Sequence, residues 1–423
     1  MSLHQQTLSL DHDAFIQTLV STENLLIIQD LDGVCMQLVN DPITRQISPS
    51  YVSATQAFDP HFYVLTNGEH TGRRGVNKLI ERAFQEDAST LQAHNSYLPG
   101  LAAGGVQWQS RNGQCFHPGV SDAELSFLQQ VPQHIQNCLR AFFKTHPCPP
   151  LLAENFDSYL ATATLENIAS PSANLNSLYP LLAGDVGTYV ALQKALKQCF
   201  EGLLDKAIAQ GLEDSFFIHY APNLGREESG DEIAWFGNAQ QSGTTDFQFM
   251  LRGAVKEAGV LALLNHYCFT RTGNYPLGET FNARQTQTKR PCSLESLVDQ
   301  VVAAFDPALM PTIVGVGDTV TSQQQGEQIK RGGSDRNFLQ LIQALNQPFN
   351  KGNLTVYVDS SGGELDNRIP LVLAEKDGVQ QVIKGPGDAQ DPLTLNVAFP
   401  GGHQQYCQVF ETAARDRPKK LAK

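Results

Sequence analysis

Leu25-Leu26-Ile27-Ile28-Gln29-Asp30-Leu31-Asp32-Gly33-Val34 is an aliphatic run that stops abruptly at two aspartates and a glycine. A run that is apolar at every position, not at alternate ones, marks a strand buried on both faces, as in a parallel sheet flanked by helices. Three later stretches repeat the pattern: Phe62-Tyr63-Val64-Leu65-Thr66-Asn67, Thr312-Ile313-Val314-Gly315-Val316-Gly317-Asp318 and Leu354-Thr355-Val356-Tyr357-Val358-Asp359. Ligands bind beyond the carboxyl ends of such strands, so each run delivers a polar group to a common edge. The expected fold is α/β with a parallel sheet.

Helices flank these runs. Leu294, Leu297, Val298, Val301, Val302 and Phe305 share one helical face, with Ser293 placed as N-cap. Phe338, Leu339, Leu341, Ile342 and Leu345 predict a second helix. The middle of the chain differs. It carries helix-like stretches (Leu125–Phe143, Tyr189–Gln210) among strand-like ones (Gly105–Gln109, Ser215–Tyr220, Asp246–Leu251), punctuated by Gly and Pro. This predicts a core of residues 1–82 and 283–423, with residues 83–282 inserted as a mixed α/β domain.

The 423 residues suit two domains, and 30 Lys+Arg against 43 Asp+Glu leave a net charge of −13. That balance repels phosphate backbones and anionic lipid, so nucleic acid and membrane surfaces are excluded as partners. It also sets a problem for any anionic substrate, which needs a metal or a local basic site. The longest apolar stretches fall far short of the ~20 residues that span a bilayer. The first basic residue is Arg45, too late for a secretory signal, and the eight cysteines are scattered without a C-x-x-C pair. Reduced thiols and a cytoplasmic location are expected. Cys35 reads as a small packed hydrophobe, and the basic tail Arg415–Lys423 as a solvated end.

Asp30 and Asp32 sit too close for like charges in a plain turn, and a divalent cation resolves their repulsion. A calcium loop is excluded because Val34 and Met36 offer no side-chain oxygen and Asp41 stands where its final Glu belongs. No Gly-Lys dipeptide, G-x-S-x-G or H-E-x-x-H occurs, which removes the P-loop, the common hydrolase elbow and the zinc helix.

Asp30-Leu31-Asp32-Gly33-Val34 after its strand resembles the first motif of haloacid-dehalogenase-type phosphatases. Leu65-Thr66-Asn67-Gly68 resembles their second, Lys289 with Arg290 and Pro291 their third, and Gly315-Val316-Gly317-Asp318 their fourth. The fourth motif usually carries another acid four or five residues on; Thr319-Val320-Thr321-Ser322 has none, and Asp335 is assigned that role beyond a Gln- and Gly-rich insertion. The resemblance implies a haloacid-dehalogenase-like Rossmannoid core with a large cap. It makes Asp30 the nucleophile, Asp32 the general acid and base, and Thr66, Asn67 and Lys289 the phosphate-binding groups. It places Mg²⁺ on Asp30, Asp32 (through its carbonyl), Asp318 and Asp335.

The insertion lies where the caps of sugar-phosphate phosphatases lie. Ile28–Cys35, Thr66–Arg74 and Ile218–Glu228 further resemble the glucosylglycerol-phosphate phosphatases. That implies a small sugar-phosphate substrate, supplied by a glucosylglycerol-phosphate synthase, and a role in making a compatible solute under salt stress. Glu69, with His70 and Arg73, is placed near the mouth of the site. His219, Asn223, Arg226 and Glu227 form a polar cluster suited to sugar hydroxyls, whereas Arg252 and Lys256 read as surface charge on one helical face. The competing readings are a phosphatase of another sugar phosphate (sucrose or trehalose phosphate), transfer of the phosphoryl group to a second hydroxyl, and a non-catalytic sugar-phosphate sensor of the same fold.

Overall fold

A computed structural model describes residues 2–286, 293–325, 328–365, 368–376 and 378–421 of the chain. Eight strands form one sheet, in the order Val397–Phe399, Leu354–Val358, Thr312–Gly317, Leu25–Gln29, Phe62–Leu65, Gly100–Ala102, Gln107–Gln109 and Cys115–Phe116. The first six run parallel, and the last two are added by antiparallel pairing. Every residue of Leu25–Gln29, Phe62–Leu65 and Leu354–Val358 is buried, which is why these runs show no polar alternation. Leu25, Ile27, Val64, Val314 and Val356 pack on one face against Phe15, Tyr51 and Phe410 of the helices His12–Ser21, Pro49–Thr55 and Gly402–Leu421. Leu26, Ile28, Tyr63, Leu65 and Ile313 pack on the other face against the helices Lys256–Thr272, Leu294–Ala304 and Arg336–Ala344. Truncating one such side chain, Ile28→Ala for instance, costs about 2–5 kcal/mol, because a close-packed core refills a cavity only in part.

A second sheet stands in the insertion. Its four antiparallel strands run in the order Thr164–Leu165, Ser172–Asn174, Asp246–Leu251 and Phe216–Ala221. The long helix Val186–Ala209 and the helix Val131–Thr145 join it in a separate hydrophobic core. The single helix expected over Leu125–Phe143 is two: Asp122–Leu128, opened by a Ser121–Glu124 capping box, and Val131–Thr145, started by a proline in its first turn.

Several segments within residues 83–282 join the large sheet. Residues 100–116 extend the large sheet by three strands, and the helix Lys256–Thr272 lies on its face through Val260, Leu261, Leu263 and Leu264. Sheet membership leaves residues 117–255 between the two halves of the core. Two- and three-residue strands carry no periodic signal, and a helix apolar on most sides resembles any buried element in sequence. The tail is also not wholly solvated: Arg417 is buried, donates from Nη1 to the Thr22 carbonyl at 3.0 Å, and lies over Phe58. The Gln-rich stretch after Asp318 is an antiparallel hairpin of Thr321–Gln325 and Gln328–Gly332. Among the described residues no helix is long and apolar enough to cross a membrane.

Candidate active site

The two central parallel strands end side by side, and each hands an aspartate to the same point. Asp30 follows Leu25–Gln29 and keeps the ladder going, its N–H donating to the Val316 carbonyl at 2.9 Å. Its Oδ1 accepts from the Leu31 amide at 2.8 Å, and its Oδ2 lies 2.7 Å from Lys256 Nζ. Asp318 follows Thr312–Gly317, and its Oδ1 accepts from the Thr319 hydroxyl at 2.8 Å. Asp335 returns to these two although it stands 17 positions after Asp318: its Oδ2 accepts the amides of Asp318 and Thr319 at 2.9 Å each. Its Oδ1 lies 2.6 Å from Lys256 Nζ. The hairpin between Thr321 and Gly332 bulges out of the motif and lets its last acid come back.

Two glycines make room for this cluster. Gly33 has φ +80°, and a Cβ there would overlap the Asp318 carboxylate. A Cβ on Gly317 would stand 2.7 Å from the Asp335 carboxyl carbon. The glycine of Asp-x-Asp-Gly is therefore needed both for its left-handed backbone and for close approach.

One oxygen from each of Asp30, Asp318 and Asp335 lies within 4.8 Å of the other two, and all three side chains are buried. Burial pushes the Asp30 carboxyl up to about 8 against the pull of Lys256, and pushes Asp318 up to about 6 against Arg368. Burial alone would raise Asp335 as well, but Lys256 and the two amides hold it below the usual range. Lys256 remains an ammonium, because Asp30 and Asp335 outweigh the cost of its burial. Three carboxyl groups share one ammonium and the more distant Arg368 guanidinium, and burial resists the ionisation of Asp30 and Asp318. Asp318 Oδ2 accepts no hydrogen bond among the described residues, with Arg368 Nε 3.5 Å away. A hard divalent cation with a preference for oxygen fits this donor set.

Asp32 points elsewhere. Arg45 Nη1 grips both of its oxygens, at 3.0 and 2.8 Å, and Arg45 is itself held by the carbonyls of Pro42 and Arg74. Asp30, Asp32, Thr66, Asn67 and Asp318 line one open cleft of about 1000 Å³ together with Arg45, Arg74 and Arg368. These three guanidiniums bring positive charge to a lining that also carries Asp30, Asp32, Glu69, Asp246 and Asp318, so the acidic composition continues into the cleft. Sequence reasoning missed the three arginines because each belongs to a loop without a pattern.

Lys289 lies outside the described residues. The ammonium beside Asp30 is that of Lys256, whose expected place on the surface is corrected: it is 3% exposed. A signal was available. Lys256, Val260, Leu263, Leu264 and Tyr267 follow helical spacing, so the lysine heads a buried stripe. Glu69 borders the cleft, but its carboxylate accepts the amides of Ile168, Ala169 and Ser170 at 2.9, 2.6 and 3.0 Å, tying core to insertion. His70 is fully buried against the Gly100 carbonyl, not at the mouth, and Arg73 is exposed. His219, Asn223 and Arg226 do cluster, around a buried Glu232 that sequence reasoning overlooked, and they line a second cavity of about 730 Å³. His219 Nε2 lies 2.9 Å from Asn67 Nδ2, so the insertion touches the loop that carries Thr66. Glu227 is exposed on a turn and borders neither cavity.

Carboxylates gathered at the carboxyl edge of a parallel sheet, an ammonium between two of them, and an insertion over the cleft make a site suited to a divalent cation and a phosphate ester. A sequence model of the glucosylglycerol-phosphate phosphatases matches residues 24–414. A glucosylglycerol-phosphate phosphatase from Synechocystis sp. (strain PCC 6803) is 58% identical over 422 residues, covering 99% of each chain. The chain belongs to the glucosylglycerol-phosphate phosphatase family. Among solved structures, the C-terminal domain of the trehalose-6-phosphate phosphatase of C. albicans aligns over 97% of this chain and 99% of its own, with a TM-score of 0.44 and 10% identity. The trehalose-6-phosphate phosphatase of Aspergillus fumigatus aligns over the same shares with a TM-score of 0.40 and 10% identity.

Proposed function

We propose that the protein is a Mg²⁺-dependent phosphatase that hydrolyses glucosylglycerol 3-phosphate to glucosylglycerol and phosphate through an aspartyl-phosphate on Asp30. The observation that carries the chemistry is the divergence of the two motif aspartates. Asp30 enters the buried acidic cluster, whereas Asp32, two residues on, turns to Arg45 on the cleft wall. This divergence supports attack by one carboxylate and proton transfer by the other. The substrate is supported by the relative at 58% identity.

An Asp30 oxygen attacks phosphorus as the bond from phosphorus to the glycerol oxygen breaks, and Asp32 gives that oxygen its proton. Asp32 then takes a proton from water, the water oxygen attacks phosphorus, and the bond to Asp30 breaks to release phosphate. Asp30, Asp318 and Asp335, with the Asp32 carbonyl, would hold Mg²⁺, which when bound neutralises phosphate charge and aligns the ester. Thr66, backbone amides near Asn67 and the ammonium of Lys256, in place of Lys289, bind the phosphoryl oxygens. The setting we propose is the cytoplasm, where a glucosylglycerol-phosphate synthase supplies the ester and the neutral product accumulates as a compatible solute in salt.

The test is Mg²⁺-dependent phosphate release from glucosylglycerol phosphate, sucrose phosphate, trehalose phosphate and glycerol phosphate, with Asp30→Asn as control. Glucosylglycerol phosphate should be preferred and Asp30→Asn inactive. Tenfold preference for sucrose phosphate, about 1.4 kcal/mol of transition-state binding, would overturn the substrate. Near-normal turnover by Asp30→Asn would overturn the nucleophile.

A further inference from the structure

One face of the insertion's sheet forms a wall of the cleft, and its two middle strands present only polar side chains there. In Asp246-Phe247-Gln248-Phe249 the polar and aromatic residues alternate, so they leave the strand on opposite faces. Phe247 and Phe249 go into the insertion's hydrophobic core. Asp246 and Gln248 go to the cleft. The neighbouring strand does the same: Gln248 stands opposite Ser172 and Asp246 opposite Asn174, which puts four hydrogen-bonding side chains side by side on the cleft wall.

These groups satisfy one another only in part, although the Ser172 hydroxyl stands close enough to the Asp246 carboxylate to favour its ionised form. Gln248 Nε2 donates to Asp246 Oδ2 at 2.5 Å, but Asp246 Oδ1, Gln248 Oε1 and Ser172 Oγ are buried and make no hydrogen bond among the described residues. A buried polar atom without a partner costs about 1–3 kcal/mol, so three together on one wall call for a partner from outside. Two of the three are acceptors only, and the third is a hydroxyl that donates and accepts. What they lack is a set of O–H donors spaced a few ångströms apart, with no charge and little apolar surface.

We infer that Ser172, Asn174, Asp246 and Gln248 form the subsite for the hydroxyl-rich, non-phosphorylated part of the substrate, the glycosyl unit, and that they set specificity. The inference rests on the proposed function for the position of the phosphoryl group, and it replaces the cluster around His219 as the sugar-binding surface. Vicinal hydroxyls donate to Asp246 Oδ1 and Gln248 Oε1, and a ring or hydroxyl oxygen accepts from Ser172. A site built to pair substrate hydroxyls discriminates strongly against ligands that lack them, because its own buried groups are then left unpaired.

The experiment measures kcat/KM for glucosylglycerol phosphate and for glycerol 3-phosphate in the full-length protein and in Asp246→Asn, Gln248→Ala and Ser172→Ala. It also compares inhibition by glucosylglycerol with inhibition by orthophosphate. The expected result is that the ratio of the two kcat/KM values falls tenfold or more in each variant. The inhibition constant of glucosylglycerol should rise relative to that of orthophosphate. An unchanged ratio, including the case where both activities fall together, overturns the inference. If the wild-type chain prefers another glycosyl phosphate and the variants lose that preference, the proposed substrate fails and the subsite stands.

Discussion

Lys256 and Lys289 compete for one role, and exchanging each for methionine separates them. Lys256 Nζ lies 2.7 Å from Asp30 and 2.6 Å from Asp335 with almost no solvent contact. At an effective dielectric of ~20, charges at such a distance attract by roughly 6 kcal/mol per pair before desolvation is counted. Removing one partner from a buried ion cluster costs about 3–5 kcal/mol net, because the remaining charges stay buried and uncompensated. Lys256→Met should therefore lower the unfolding free energy by about that amount in metal-free protein, and added Mg²⁺ should restore part of it. Loss of one preorganised cation from a phosphoryl site costs about 10²–10³ in kcat. Phosphate release with saturating Mg²⁺ and urea unfolding with and without the metal measure the two effects. Lys289→Met should stay within about threefold of wild type, since Lys256 already supplies an ammonium to Asp30 and Asp335. If Lys289→Met were the inactive variant and Lys256→Met kept its turnover, the assignment of the ammonium would be refuted.

Three further outcomes follow from the geometry. Gly33→Ala forces a Cβ into the Asp318 carboxylate at φ +80°; the left-handed backbone alone costs about 1 kcal/mol, and kcat/KM should fall at least tenfold, so wild-type activity in this variant would contradict the packing. Asp335→Asn removes one of three clustered carboxylates, and calorimetric titration should show Mg²⁺ affinity weakened tenfold or more; unaltered affinity would exclude Asp335 from the metal site. His70 is buried neutral, its pKa pushed down to about 4 by burial. Below pH 6.5 the unfolded chain therefore takes a proton that the folded chain refuses, and stability falls with pH by up to about 1.4 kcal/mol per unit, reaching roughly 3 kcal/mol near pH 4. His70→Asn should show a shallower fall over that window, and identical slopes would refute the assignment.

Most of the core was legible because its signals are local. Leu25–Gln29, Phe62–Leu65, Thr312–Gly317 and Leu354–Val358 are strands at or within the expected runs, and the helix Leu294–Ala304 begins at Ser293 as its spacing requires. Asp335 was found beyond its hairpin because Ser-Asp before an apolar helix is itself a local pattern. The site residues that escaped share another property. Lys256 and Arg368 matter through partners that lie far along the chain, and Arg45 and Glu232 through partners beyond a helical turn that no periodic pattern marks. His219 and Glu69 were singled out as substrate groups, yet their polar atoms are taken up by Glu232 and Asn67 and by the amides of 168–170. A polar residue in a loop looks the same whether it awaits a ligand or already has a neighbour.

By itself the sequence determined the parallel α/β core, the order of its functional strand ends and the family, because unbroken apolar runs and short motifs act within a few residues of backbone. Only the tertiary structure decided that Lys256 lies against Asp30, which middle segments join the large sheet, and which polar face of the insertion looks into the cleft. Burial of a charge and the choice of its partner depend on what packs across it, and that is set by segments the linear order keeps far apart.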